Sequence, residues 1–140
     1  MRYSVRTLMI VTALIGIVVV TGNWAFRTCY YGIDDGYAQA GAFGMVVKHM
    51  EDNDGRWPRN WQALKPYYQQ SGGGVGWSFA KYKSRIWIDF GADADELRRM
   101  SLNSDRATFR VIRATQSWGV YLGDDPNTRL WKYFRAEKKR

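Results

Sequence analysis

Residues 7 to 26 read TLMIVTALIGIVVVTGNWAF, twenty residues without a charge. At about 1.5 Å of rise per residue, a helix of this length matches the roughly 30 Å hydrocarbon core of a bilayer. Its flanks are of the kind that hold a span in place. MRYSVR precedes it with Arg2 and Arg6, the apolar run begins at Leu8, and Trp24 and Phe26 stand at its far end just before Arg27. Aromatic side chains at such a position suit the head-group layer, and Tyr30 and Tyr31 extend the same belt. No ionisable group interrupts the run, so it offers no proton relay and no ion path. The segment is expected to be an anchor.

Working outward, Arg2, Arg6 and the terminal amine on one side outweigh Arg27, which is followed by Asp34 and Asp35 on the other. The positive-inside rule then puts residues 1–6 in the cytoplasm and everything after residue 26 outside. The expected location is the cytoplasmic (inner) membrane, crossed once. A removable signal peptide has the same basic start and apolar run. Val20-Thr21-Gly22 is small enough for cleavage, and that alternative gives a secreted basic protein binding an anionic polymer.

The composition is that of a folded chain of 140 residues, long enough for one domain, and no internal repeat is evident. Lysine and arginine number 21 against 13 acids, a net charge of +8. A field of that sign favours anionic partners, here membrane lipid or an acidic polymer, and other envelope proteins are the further candidates. Cys29 is the single cysteine and His49 the single histidine. No internal disulfide can form, and a structural zinc site needing about four Cys or His ligands is excluded.

After a juxtamembrane linker at 27–36, with a helix start near Asp34 or Asp35, Phe43, Val46, Val47 and Met50 recur at helical spacing. They predict an amphipathic helix over 37–51, whose alanines and glycines from Ala38 to Gly44 keep it thin enough for close packing. Asn60 is placed to cap a short helix presenting Trp61, Leu64 and Tyr68 before Pro66 limits it, and SGGGVG at 71–76 reads as a loop. Alternation then predicts strands around Ile86–Phe90, Phe109–Val111 and Trp118–Leu122. GDDPN at 123–127 reads as a turn leading to a fourth strand, TRLWKYF. Between the first two strands, Asp93 and Glu96 form a capping-box pair ahead of a short helix. The fold class expected is α+β: a transmembrane helix at 7–26, an amphipathic and a short helix, then a small antiparallel sheet of three to four strands. The extracytoplasmic domain would occupy 37–134, with a basic tail at 135–140.

Few motifs in this chain carry chemistry. EDNDGRWPRNW at 51–61 has the acids and glycine of a calcium loop. With Gly55 at loop position 6, however, Met50 and Trp61 fall on positions 1 and 12, where oxygen ligands are required. A helix end followed by a turn is the reading that remains. Asp89-Phe90-Gly91 lacks the accompanying kinase motifs, Ser78 lacks a nucleophile elbow, and the glycine loop lacks the lysine of a phosphate loop. Asp34/Asp35 and Asp124/Asp125 are adjacent carboxylates in turn-like contexts, and adjacency alone does not separate an acid from a base. No catalytic, cofactor-binding or metal-binding residue is expected, and neither an enzymatic activity nor a cofactor. KYKSRIW and RLWKYFR interleave cations with aromatics, as single-stranded nucleic acid binders do. An extracytoplasmic domain would not meet nucleic acid, which is therefore not an expected partner.

Two stretches carry a resemblance. RYSVRTLMIVTALIGIV is similar to the opening of many small membrane-anchored proteins of planctomycete bacteria, which implies location and no activity. DNDGRWPRNWQAL resembles a segment of pseudopilins and related pilin-like proteins, in which a long amino-terminal helix is followed by a D-N-G-x-[YW]-P-type segment, a short helix and a small antiparallel sheet. That likeness implies a subunit of a secretion or surface assembly. The chain departs from it in having no glutamate between Leu8 and Gly22. The expectation drawn from the residues themselves is a single-pass anchored protein with a non-catalytic binding or structural domain.

Overall fold

A computed structural model describes residues 4–72, 76–115 and 123–137, without the side chains of residues 6–8, 27–29, 31 and 72. The chain divides into two compact units, Met1–Tyr31 and Gly32–Arg140. Helix α1, Val5–Asp52, contributes to both. The linker and fresh helix start expected at 27–36 are therefore corrected: neither Gly32, Gly36 nor the two aspartates break the helix. Asp35 does not cap anything, because its carboxylate is turned into the second unit and held there by an arginine.

The first unit contains one apolar window, Met9–Phe26, with a mean hydropathy of 2.0 and none of its residues buried. An apolar helix exposed on all sides lacks the polar face that a surface helix of a soluble domain presents to water. The Thr21 hydroxyl donates to the Ile17 carbonyl at 2.7 Å, so that polar group is satisfied within the helix.

The second unit is mostly helical with a small two-stranded antiparallel sheet. From Gly32 onward α1 buries Asp35, Ala38, Gln39, Ala42, Met45, Val46 and Met50, spaced by three and four. Val46 and Met50 were anticipated, but Phe43 and Val47 are only partly buried. The centre of the buried stripe is the thin face, where small side chains let Tyr82 approach closely enough for its hydroxyl to donate to the Ala38 carbonyl. A Cβ on Gly44 would sit 3.1 Å from the Ser71 Cβ, a further sign of close approach.

The stretch 51–61 is the end of α1 and the turn after it. The Gly55 amide reaches back to the Met50 carbonyl at 2.8 Å, and Asp54 and Gly55 take φ of 53° and 75°. This is a Schellman-type stop, in which a left-handed residue lets an orphan carbonyl of the last turn be satisfied. Asn60 then caps α2, Trp61–Leu64, by accepting from the Ala63 amide at 3.0 Å. A 3₁₀ turn at Lys65–Tyr67 and a π turn at Tyr68–Gly72 follow.

Helix α3, Phe79–Arg85, was not anticipated; Ser78 caps it by accepting from the Lys81 amide at 3.2 Å. It leads directly into β1, Ile86–Ile88. Helix α4 is Ala94–Leu102, capped by Asp93, whose carboxylate accepts from the Asp95 amide at 2.8 Å. Strand β2, Ile112–Ala114, pairs with β1 in the register Ile86↔Ala114, Trp87↔Arg113, Ile88↔Ile112. The strand expected at Phe109–Val111 thus begins later.

The expected third strand lies at 116–122, outside the described residues. The expected fourth is corrected: TRLWKYF belongs to helix α5, Pro126–Glu137. Asp125 is its cap, accepting from the Asn127 and Thr128 amides at 2.9 and 3.3 Å, and Pro126 fills the first helical position, where a missing N–H costs nothing. Asn127, Leu130 and Phe134 face inward at helical spacing. The tail expected from residue 135 is helical through Glu137. Leu64, Tyr82, Ile86, Ile112, Leu130 and Phe134 complete one core with the α1 stripe, each fully buried. Burial of such a side chain stabilises by about 1.5–3 kcal/mol.

Candidate functional site

Of the anchor residues read from the sequence, Arg2 and the side chains of Arg6, Leu8 and Arg27 lie outside the described residues. Trp24 and Phe26 are each 70% exposed, and the Phe26 ring stacks on Tyr30 at 6.2 Å. Exposed aromatics at the end of an exposed apolar helix form the surface that an interfacial layer would accept.

In the second unit several of the residues weighed for chemistry have structural tasks. His49 is partly buried, its ring set edge-on to Tyr67 at 5.9 Å, and burial pushes its pKa below the ordinary histidine value. The Asp89 carboxylate accepts from the Gly91 amide at 3.0 Å, and its carbonyl accepts from Trp57 Nε1 at 2.7 Å. Asp124 pairs with Lys132, and Asp125 caps α5. Burial pushes the Asp125 pKa up, but hydrogen bonds from Thr128 and Asn127 outweigh it, and the net direction is down. Cys29's side chain is outside the described residues.

Two features were not anticipated. The first is an ion pair between Asp35, fully buried, and Arg85. Arg85 Nε donates to Oδ1 at 3.0 Å and Nη2 to Oδ2 at 2.6 Å, a two-pronged grip that ties α1 to the end of α3. Its signal was present, since Asp35, Ala38, Ala42 and Met45 fall on one helix face. The second is Asn127, 5% exposed, whose amide works as a substitute strand on the outer side of β2. Its Oδ1 accepts from the Val111 and Ile112 amides at 2.8 and 3.0 Å, and its Nδ2 donates to the Ile112 carbonyl at 2.9 Å.

The turn at 54–59 lines an open groove of about 440 Å³ with Phe90, Asp93, Asp95 and Arg98. Its charges balance, Asp54, Asp93 and Asp95 against Arg56, Arg59 and Arg98. Arg98 is committed to Asp95 at 2.6 Å and Glu137 at 3.2 Å. Glu137 also accepts from the Tyr133 hydroxyl at 3.2 Å, and burial together with this carboxylate pushes the Tyr133 pKa up to about 12. Among the described residues no three of His, Cys, Asp and Glu gather as metal ligands.

The second unit also sets cations over aromatic rings. Arg113 lies over the Trp87 ring at 4.3 Å, and Lys81 over Trp77 at 4.8 Å. No protein-family model matches the chain, and neither the curated proteins nor the solved structures searched gave a match.

Proposed function

We propose that this is a single-pass protein of the cytoplasmic membrane, with its amino terminus inside and a non-catalytic binding or structural domain outside. The observation that carries the reading is the window Met9–Phe26, 18 residues of mean hydropathy 2.0 with no residue buried. Exposed to water, such a surface would cost about 25 cal/mol for each Å². Lipid removes that cost, and the arginines at 2 and 6 set the direction of insertion. The domain's part is recognition, supported by its basic balance and by carboxylates that are engaged in caps and ion pairs. Washing membranes that hold the chain with alkaline carbonate tests the anchor: it should stay with the lipid, and release into the supernatant would contradict the reading.

A pilin-like subunit of a secretion or surface assembly is the second reading. The extent of α1, Val5–Asp52, favours it, because one helix supplies both the apolar segment and the spine of the domain. Crosslinking on intact cells distinguishes the two. A ladder of higher multiples supports assembly, and monomer alone, with an unprocessed amino terminus, counts against it.

A further inference from the structure

The distribution of charge in the second unit goes one step beyond anchoring. Residues 77–88 and 106–115 hold six lysines and arginines and no acid, with Asp89 and Asp105 at their borders. These two stretches are distant in sequence, and the fold sets them side by side. β1 pairs with β2, and beyond the strands the Thr115 amide donates to the Arg85 carbonyl at 2.8 Å while its hydroxyl donates to the Ser84 carbonyl at 2.9 Å. Lys81, Lys83, Arg110 and Arg113 are all exposed. Trp87 is 36% exposed on the outer face of the sheet, directly opposite Arg113, whose guanidinium covers its ring. Ile86, Ile88 and Ile112 point the other way, into the core.

We propose that this α3–β1–β2 edge docks on the head groups of anionic phospholipid. An amphipathic indole suits the boundary between acyl chains and phosphates at either face of a bilayer, and the fixed cations beside it attract anionic head groups. Arg85, at the centre of the edge, grips Asp35, which is nine residues after Phe26 in the sequence. Nine residues span at most roughly 30 Å even when fully extended, so the covalent chain alone keeps this edge within reach of a bilayer that holds the apolar segment. A second attachment close to the first gains from high effective concentration, so weak head-group contacts suffice. The inference rests on the anchored reading.

The test uses the full chain in nanodiscs of phosphatidylcholine, and in discs where part of that lipid is replaced by phosphatidylglycerol. Acylation of each lysine by an amine-reactive reagent is followed by mass spectrometry. Lys81 and Lys83 should react at least about threefold more slowly in the anionic discs, because an anionic surface near −30 mV holds adjacent ammonium groups protonated and docking shields them further. Lys48 is the internal control: it lies thirteen residues, about 20 Å of helix rise, from Asp35. Lys48 also lies outside the two acid-free stretches, so its rate should change less than those of Lys81 and Lys83. High salt should abolish the slowing, and Arg110→Gln with Arg113→Gln, both at exposed positions, should weaken it.

Equal rates for Lys81 and Lys83 in the two kinds of disc, with the chain incorporated in both, would overturn the docking and leave the anchor standing. Elution of the chain free of both kinds of disc would overturn the anchor and the docking with it. Slowing by soluble polyphosphate in phosphatidylcholine discs, with none from phosphatidylglycerol, would assign the edge to an anionic polymer and reject the lipid.

Discussion

Asn127 makes three hydrogen bonds to the backbone of Val111 and Ile112, at the start of β2, while 95% shielded from water, and each would be costly to leave unmade. Asn127→Ala is expected to lower stability by about 3 kcal/mol in denaturant titration, since buried groups left without partners cost about 1–3 kcal/mol each. Asp35 and Arg85 pose the same problem with full charges. Arg85→Met should cost about 3–5 kcal/mol by stranding a buried carboxylate, whereas Asp35→Leu with Arg85→Met should cost less than the single change. A double variant weaker than Arg85→Met would show that the pair is worth more than its desolvation. Neither residue's role was legible, for different reasons. Asp35 follows Asp34 and precedes a glycine, which imitates a turn, although its spacing from Ala38 and Ala42 marks it as inward-facing. Asn127 acts across fifteen residues on Ile112, and nothing local encodes that.

At the scale of elements, local signals were read well where a cap and an apolar period agree, as at Asn60 and at Asp93. They were misread where two periods compete. TRLWKYF alternates like a strand, yet Leu130 and Phe134 are also four apart, and Asp125-Pro126 is a helix start that outweighs the alternation. The cap makes a testable difference. Asp125 has a folded pKa below its unfolded one, so the stability it contributes is full above the ordinary carboxylate range and is lost as pH falls through the depressed folded value. Asp125→Asn should flatten the acid limb of a stability-versus-pH curve, and an unchanged limb would contradict the assignment. The turn after α1 is the second element to test. Gly55 has φ of +75°, and a Cβ there would sit 3.3 Å from Arg98 Nη2. Gly55→Ala is expected to cost about 1 kcal/mol, read as a lower melting temperature.

Over the whole molecule, the apolar segment was legible as one helix long and apolar enough to cross a membrane, because a run of twenty uncharged residues shows directly in the sequence. The domain behind it was legible as small and mixed, with a strand at Ile86, whereas the strand expected at Phe109–Val111 lies at Ile112–Ala114. Its helical share was underestimated, since α1 runs unbroken through residues 27–36, α3 was not expected and α5 replaces a strand. The site was less legible than the fold: a basic edge assembled from residues 77–88 and 106–115 exists only once β1 and β2 pair. The proposed function rests on residues 7–26 staying on the chain and in a bilayer. The most direct measurement is the intact mass of the protein extracted from native membranes, together with digestion of its carboxyl-terminal domain by protease added from outside. The account expects a full-length mass and a domain open to the protease. A mass beginning near Asn23, or a domain protected until the membrane is broken, would contradict it.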